Sequence, residues 1–346
     1  MFELSLFNVL ILLLFGVVSQ FDPNIDAIHR NEITWSATND HLAIATLHGL
    51  WIYDFEVEVA TLVSNCNNHT FNPVFSADGG LLAYSTLDGM VYVVDRETQT
   101  DIAYIKPGYM VHHMLFDPTD SRLIIAYRGF YNNFHTSRIS VWDYQNDEIL
   151  TTTDIGDISV LDIQFDLNTD VLWVTGTVFG TDAIESHFWA IELTSGNAII
   201  YLPVQQADAR GVRMDNSLYV YSVHDYFLDT YYFLIGDLKN RSSTNTLYEV
   251  SYDSSISEFD VTVDSHRIAM ITQDNHLRVQ PLYRQIYELE IQHDSNIRSV
   301  MFDMSGEQLA VMTWGELPEV EIWDMETMTH SMTLRTADWY QADCGG

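Results

Sequence analysis

Lysine is nearly absent from this chain, and cysteine and proline are scarce. The 346 residues contain Lys+Arg 15 against Asp+Glu 49, which gives a formal net charge of −34 at pH 7. Lys106 and Lys239 are the only lysines. Such a surface repels the phosphate backbone of nucleic acids and the anionic surface of membranes. The composition therefore excludes nucleic-acid binding, and it favours either adaptation to a salty environment or a basic partner.

The signatures of common catalytic and metal sites are also missing. Two cysteines cannot build a cysteine-rich zinc site, and they do not have the C-x-x-C spacing of redox proteins. The sequence has no G-x-S-x-G elbow, no H-E-x-x-H helix and no glycine-rich phosphate loop. We therefore predict no cofactor and favour a protein without enzymatic activity. A catalytic pair among the 49 carboxylates is the alternative, although with so many carboxylates two can also lie close together by accident.

Residues 4–18 form an apolar run that a polar, acidic chain follows. The run is shorter than the ~20 residues that a membrane-spanning helix needs, and Val17-Val18-Ser19 fits a small-residue cleavage site. We expect a signal peptide over 1–19 and a secreted, periplasmic or cell-surface protein. No Lys or Arg precedes the run, whereas the acidic Glu3 does precede it. An uncleaved membrane anchor and a buried core segment are therefore the alternatives.

The rest of the chain is a repeat. Each copy has an apolar strand, a turn of Asp, Ser and Gly, a second apolar strand and a third strand that often ends in aromatic-Asp, as in Ile322-Trp323-Asp324. The copies are anchored at Trp35, Phe75, Phe116, Phe165, Met214, Val261 and Phe302. Their separations of 40, 41, 49, 49, 47 and 41 residues fit units of roughly 40–45 residues, three of them enlarged.

An outer apolar strand follows each copy, at 57–63, 101–105, 149–153, 198–202, 246–251, 286–291 and 331–334. Seven units of four strands predict an all-β, seven-bladed β-propeller of antiparallel blades over 20–336. The residues 337–346 are then a C-terminal tail, and no second domain remains.

The pattern resembles the WD-repeat β-propellers, in a degenerate and exported form. In the seventh unit His293, Ile297, Val300 and Phe302 stand at the family's spacing, and Trp323-Asp324 closes the unit. Thr313 fits the family's polar set, whereas Glu316 takes the place of its aspartate. The resemblance implies a protein-binding scaffold, and it covers about 30–336.

All four strands of each unit come from one continuous stretch of the chain. We therefore expect a ring in which no blade combines strands from both ends of the chain. Cys66 follows the outer strand of the first unit and Cys344 that of the seventh. The two cysteines are candidates for a disulfide across this seam, and two unpaired thiols are the alternative. Asn68 and Asn240 begin N-x-S/T triplets, which are glycosylation sites if the host is a eukaryote.

Two stretches invite a metal-site hypothesis. Residues 166–170 start like a calcium loop but lack its glycine and its later bidentate glutamate, so an ordinary turn is the preferred interpretation. His112 and His113 are adjacent on a strand and point to opposite faces. We expect one to face the mouth of the central channel and the other the blade interior, and we predict no metal site.

Units three to five are enlarged between their second and third strands. These connections all emerge on one face of a propeller, and insertions on one face of a repeat array often form its binding surface. The predicted binding residues are Phe130, Tyr131, Phe134, His135, Phe179, His187, His224, Tyr226 and Phe227. We expect a monomeric scaffold that binds a protein or peptide partner through this face. The alternative is a propeller hydrolase acting on extracellular carbohydrate or peptide.

Overall fold

A computed structural model of the chain describes residues 32–66, 68–108, 110–117, 119, 121–131, 134–166, 171–179, 184–193, 197–204, 207–215, 218–225, 230–237, 246–252, 256–262, 266–282 and 286–344. Strands contribute most of these residues. The predicted signal peptide at 1–19, the calcium alternative after Asp166 and Asn240 lie outside the described residues.

The described strands pair into four-stranded antiparallel sheets, each built from four consecutive strands. The first four sheets contain β1 (Ile33–Trp35), β2 (His41–Thr46), β3 (Gly49–Asp54) and β4 (Val59–Leu62); β5 (Thr70–Phe75), β6 (Leu81–Thr86), β7 (Val91–Asp95) and β8 (Thr100–Ile105); β9 (Met110–Phe116), β10 (Leu123–Tyr131), β11 (Phe134–Asp143) and β12 (Glu148–Gly156); and β13 (Ser159–Asp166), β14 (Val171–Phe179), β15 (Ile184–Glu192) and β16 (Asn197–Val204).

Three more sheets complete the array of seven in the described part of the chain. They contain β17 (Ala207–Asp215), β18 (Leu218–Asp225), β19 (Thr230–Asp237) and β20 (Thr246–Tyr252); β21 (Ile256–Val261), β22 (Arg267–Thr272), β23 (His276–Pro281) and β24 (Leu289–Gln292); and β25 (Ile297–Phe302), β26 (Gln308–Thr313), β27 (Glu319–Asp324) and β28 (Thr329–Arg335). One helix follows, α1 (Thr336–Asp343).

The first strand of each sheet contacts the first strand of the next, and β25 contacts β1. The sheets therefore form a closed ring, which confirms the predicted β-propeller of four-stranded antiparallel blades. The core lies between neighbouring blades. In one such layer Ile33 and Tyr53 of the first blade pack against Met312, Val320 and Ile322 of the seventh. Burial on both faces explains why the second strands are continuously apolar rather than alternating.

The aspartate that ends the third strand of a repeat serves the following turn. Asp54 accepts hydrogen bonds from the backbone N–H groups of Glu56 and Val57, and Asp324 does the same for Glu326 and Thr327. Asp95 and Asp143 cap their turns in the same way. Aspartate suits this position because its short carboxylate reaches the N–H groups two and three residues ahead. The repeated aromatic-Asp motif is therefore a turn signal.

These turns also share a left-handed residue. It lies four positions after the capping aspartate, at Glu58, Gln99, Asp147 and Met328, where φ is 55°, 55°, 53° and 54°. Left-handed backbone is costly for residues with a Cβ atom. The aspartate cap and the strand pairing on both sides hold each of these residues in that conformation.

The first and seventh blades meet without exchanging a strand, as the repeat predicts. Instead, the indole N–H of Trp35 donates a 3.2 Å hydrogen bond to the carbonyl of Met301. The N–H of Met304 donates one of 2.9 Å to Oδ1 of Asn39. Backbone and side-chain contacts thus join the two blades near the ring's inner edge.

A disulfide joins Cys66 and Cys344, whose Cα atoms lie 5.9 Å apart. Cys66 belongs to the connection after β4, and Cys344 caps the C-terminal end of α1. The sequence left this pairing open and predicted only a C-terminal tail over 337–346, whereas α1 occupies most of that segment.

Within the described ranges, no helix is long and apolar enough to cross a membrane. The same residues contain no group of three or more His, Cys, Asp or Glu side chains that could hold a metal ion.

Candidate functional site

Strand order defines two faces of the ring. Antiparallel blades place the connections between second and third strands, and those between one blade and the next, on the same face. We call this the hairpin face, and among the described residues it contains 47–48, 87–90, 273–275 and 314–318. The turns after the first and third strands lie on the opposite face.

Two of the three enlarged units, those of the third and fourth blades, form long hairpins on the hairpin face, whereas β18 of the fifth blade pairs with both neighbours up to Asp225. In the third blade β10 pairs with β11 up to Tyr131 and Phe134, although the first strand ends its pairing with β10 at Arg128. In the fourth blade β14 and β15 stay paired up to Phe179 and Ile184, beyond the end of pairing with β13 at Thr177. Two-stranded ribbons thus extend beyond the four-stranded part of both blades.

The predicted binding residues are distributed over these hairpins. Phe130, Tyr131, Phe134 and His135 form the last two backbone pairs of the third-blade ribbon, and Phe179 is at the end of β14. His187 lies opposite Gly176, and His224 lies opposite Tyr231. Tyr226 and Phe227 lie outside the described residues. For the others the structure describes the strand position and not the side chain.

Trp314 is a large exposed side chain on the same face that the sequence did not single out. Its side chain is 56% exposed, and the guanidinium carbon of Arg298 lies 4.0 Å above its ring. Arg298 also forms an ion pair with the buried Glu32, which precedes β1. A cation over the indole face holds the ring in place, so Trp314 presents a fixed aromatic surface. The short loop Trp314-Gly315-Glu316 was the signal that could have indicated it.

The second blade contributes an apolar tip with a charged neighbour. Leu87 is 59% exposed at the β6–β7 connection. Beside it, the Thr86 hydroxyl donates a 2.6 Å hydrogen bond to Asp88, and Lys106 lies 3.8 Å from the same carboxylate. The hydrogen bond from Thr86 is the main cause that lowers the pKa of Asp88, with help from Lys106. The carboxylate therefore stays ionised beside an exposed leucine.

The base of the third-blade ribbon is held by polar contacts. Arg128 forms a 2.7 Å ion pair with Asp157, and the Thr136 hydroxyl donates a 2.6 Å hydrogen bond to Asp154. Burial acts to raise the pKa of Asp154, but hydrogen bonds from Thr136 and Gly156 together with Arg138 lower it overall. These contacts fix the direction in which the ribbon leaves the blade.

His113 faces the centre of the ring, whereas the prediction left open which histidine would do so. It lines a cavity of about 330 Å³ together with Trp35, Asp162 and Phe165 from the first strands of other blades and Asp303, which follows β25. Nδ1 of His113 lies 3.9 Å from Oδ1 of Asp162. His112 and His113 are 6% and 4% exposed, so neither is open at a channel mouth.

A second cavity, of about 710 Å³, lies on the opposite face between the sixth and seventh blades. Its acidic lining comes from Glu288, Glu307, Asp324 and Glu326, and Arg267 pairs with Glu288 at 3.0 Å. The described lining contains no Phe, Tyr or Trp, which are the side chains that stack on sugars in a carbohydrate cleft.

The polar set of the seventh blade differs from the sequence interpretation. The carboxylate near His293 and Trp323 is that of Glu321, which lies 3.7 Å from Nε2 of His293 and accepts a 3.1 Å hydrogen bond from the indole N–H. Glu316 is exposed in the loop. The sequence placed Glu316 where the family has aspartate and left the polar set incomplete. The contacts of Glu321, on the strand beside Trp323, were not predicted.

Comparison with solved structures places the ring among known propellers. The β-propeller domain of Cps50 (Swd1) from Myceliophteria thermophila matches with a TM-score of 0.67 and 11% identity, covering 86% of this chain and 96% of that chain. A chain of the mitotic checkpoint complex matches with a TM-score of 0.67 and 15% identity, covering 87% and 90%. No family model and no curated protein sequence matches the chain. At these identities the likeness concerns architecture, and the chain has the fold of the WD-repeat β-propellers.

Proposed function

We propose that this protein is an exported, non-catalytic scaffold that binds a protein or peptide partner through the hairpin face. The observation that carries the proposal is the pair of ribbons in the third and fourth blades, which extend beyond their neighbouring strands on that face alone. Trp314 and Leu87 add exposed apolar surface to the same face. Aromatic side chains that protrude from a rigid frame are the usual anchors of protein interfaces.

Charge suggests the kind of partner. With a formal net charge of −34, the protein attracts a basic partner over a distance of about one Debye length, near 8 Å at physiological salt. Rigid strands and ion-paired ribbon bases keep the anchors in place before binding, so little conformational entropy is lost when the complex forms. The blades then present the hairpins to the partner without changing conformation on binding.

The experiment is an affinity capture from the source organism's extracellular fraction with three versions of the full chain. In one variant residues 130–135 and 179–184 are each replaced by Asn-Gly, which joins facing residues with a two-residue turn. In the matched control Val57→Ala removes an apolar side chain that is 62% exposed on the opposite face. We expect a partner that the wild type and the control retain and that the trimmed variant loses.

The result is interpreted together with circular dichroism of the trimmed variant. Equal capture by all three folded proteins would move the site away from the ribbons. Secretion is tested separately by sequencing the N-terminus of the protein recovered from the medium, where a start at Gln20 is expected. Recovery only from inside the cells would contradict the exported part of the proposal.

A further inference from the structure

The outer part of the seam between the first and seventh blades is covered by α1. Trp339 of this helix stacks on Tyr53 of the first blade with ring centroids 5.8 Å apart, and it lies 5.9 Å from Trp51. Tyr340 contacts His48 at 4.7 Å. On the other side the Thr336 hydroxyl donates a buried 2.6 Å hydrogen bond to the carbonyl of Pro318 in the seventh blade. The helix therefore bridges the two blades.

The helix has little to stabilise it by itself. It contains eight residues, its N-cap residue Arg335 makes no side-chain capping hydrogen bond, and Thr336 is its only buried residue. Helices this short are marginal in water because nucleation costs more than a few hydrogen bonds return. The order of α1 therefore depends on its contacts with the blades and on the disulfide at its C-terminal end.

The disulfide connects the end of α1 to a part of the first blade that is itself fixed. The N–H of Leu50 donates a 2.8 Å hydrogen bond to Oγ of Ser64, and the N–H of Val63 donates one of 2.8 Å to the carbonyl of Leu50. Cys66 follows this segment directly. Both cysteines are partly exposed, so a thiol in solution can reach the bond.

We propose that α1 and the Cys66–Cys344 disulfide form a redox-sensitive clasp, which stays closed while the bond is intact and releases the helix when a dithiol reduces it. The inner contacts of the seam, from Trp35 to Met301 and from Met304 to Asn39, do not involve the clasp. The ring consequently stays closed when the helix leaves. Release uncovers His48 on the hairpin face, and Trp51 and Tyr53 on the outer part of the seam.

The chemistry is thiol–disulfide exchange. One thiolate of the dithiol attacks a sulfur of the protein disulfide and forms a mixed disulfide while the other cysteine leaves as a thiolate and takes a proton. The second thiol of the reagent then displaces the remaining cysteine. In total the protein bond gains two electrons and two protons, and the dithiol is oxidised to its own disulfide.

The test is hydrogen–deuterium exchange by mass spectrometry on the full chain, with and without dithiothreitol. We expect reduction to speed exchange at the amides of 337–344 by about tenfold or more, because the helix can then unfold while the blades stay folded. Exchange in the strands of the first and seventh blades is expected to stay unchanged. The double variant Cys66→Ser, Cys344→Ser is the matched control. It is expected to exchange rapidly in this segment whether or not the reagent is present.

Two results would overturn the proposal. Unchanged exchange at 337–344 after complete reduction, verified by alkylation of both thiols, would show that packing alone holds the helix. Faster exchange throughout the strands would show that the bond maintains the whole ring. The variant Trp339→Ala, measured with its disulfide intact, separates the contribution of packing from that of the covalent bond.

Discussion

Trp323 donates its indole N–H to the carboxylate of Glu321, two residues earlier on the same strand, at 3.1 Å. The same carboxylate lies 3.7 Å from His293 in the connection that enters the blade. One acidic side chain thus joins the third strand of the seventh blade to the connection that precedes its first strand. We expect this contact to hold the connection against the blade.

Replacing Glu321 tests this contact. Glu321→Ala leaves a partly buried indole N–H without its acceptor, and the expected loss in the free energy of unfolding is about 1–2 kcal/mol. Glu321→Gln keeps an acceptor oxygen and is expected to lose less. Urea unfolding followed by tryptophan fluorescence measures both. Glu316→Gln, in the exposed loop, is the control, and an equal loss there would contradict the assignment to Glu321.

Because of the capping aspartates, we expect the stability of the folded protein to depend on pH in the acid range. Hydrogen bonds from turn N–H groups lower the pKa of Asp54, Asp95 and Asp324 below the ordinary value of 3.8. Each carboxylate then binds its proton more weakly in the folded state than in the unfolded state, so its contribution to stability is complete above about pH 4 and is lost as pH falls through the lowered pKa.

The variant Asp54→Asn, Asp95→Asn, Asp324→Asn isolates this contribution, because asparagine keeps an acceptor oxygen but does not titrate. Between pH 5 and pH 2 we expect its melting temperature to fall less steeply than that of the wild type. The measurement is differential scanning calorimetry at fixed ionic strength. Parallel curves for the two proteins would mean that the turn hydrogen bonds do not favour the ionised form.

We expect that replacing Gln99 by glycine stabilises the protein. It is exposed and has φ of 55°, a region that glycine enters without the Cβ clash. Gln99→Gly is expected to raise the free energy of unfolding by about 0.5–1 kcal/mol, since relief of the strain exceeds the added entropy of the unfolded chain. Gln99→Val should shift stability in the opposite direction, because a β-branched side chain fits this backbone worst. Thermal melts of the three proteins check both signs.

Gly108 and Gly129 form a matched pair in the third blade. A Cβ atom at Gly108 would lie 2.5 Å from Cδ2 of Tyr127 and 2.6 Å from the carbonyl oxygen of Arg128. At Gly129 the nearest atom would be 3.9 Å away, on the same tyrosine. We expect Gly108→Ala to cost about 1–3 kcal/mol through overpacking and Gly129→Ala to be nearly neutral. Urea midpoints compare the two, and an equal loss would contradict the crowding at Gly108.

The acidic composition predicts stabilisation by salt. With a formal net charge of −34, repulsion between carboxylates opposes the folded state and is screened as ionic strength rises. The melting temperature should therefore increase between low and high sodium chloride. A melting temperature independent of ionic strength would show that self-repulsion is not a significant term.

The propeller was predictable because the same physical requirement recurs in every copy. A strand buried on both sides must be apolar, and a turn capped by aspartate must follow the third strand. A few residues in each copy, such as Ile322-Trp323-Asp324, are therefore enough to indicate the architecture. The seam between the ends was predictable only in part. The outer strands and the two cysteines are visible in the sequence, but α1 is too short and weakly patterned to distinguish from a tail.

The candidate site was less predictable than the ring. Extra residues between the second and third strands indicated which blades are enlarged, and strand alternation then fixed the face on which they emerge. Trp314 was not predicted, because the cation that lies over its ring belongs to Arg298, on β25 and 16 residues earlier in the chain. Glu321 was missed for a related reason. The hydrogen-bond partner of a carboxylate depends on the direction of its strand and on the path of the preceding connection. The spacing of residues in the sequence predicts neither.

The use of four consecutive strands for every sheet has a consequence for how the protein is made. Each blade becomes complete as soon as its own stretch of chain emerges, so hydrogen-bond pairing can proceed from the first blade onward during synthesis. The contacts of the seam must wait, because Trp35 and Met301 are 266 residues apart in the chain and Cys66 and Cys344 are 278 residues apart. The bond can therefore form only after the seven described blades and α1 have been made, so its presence shows that the first and seventh blades have met.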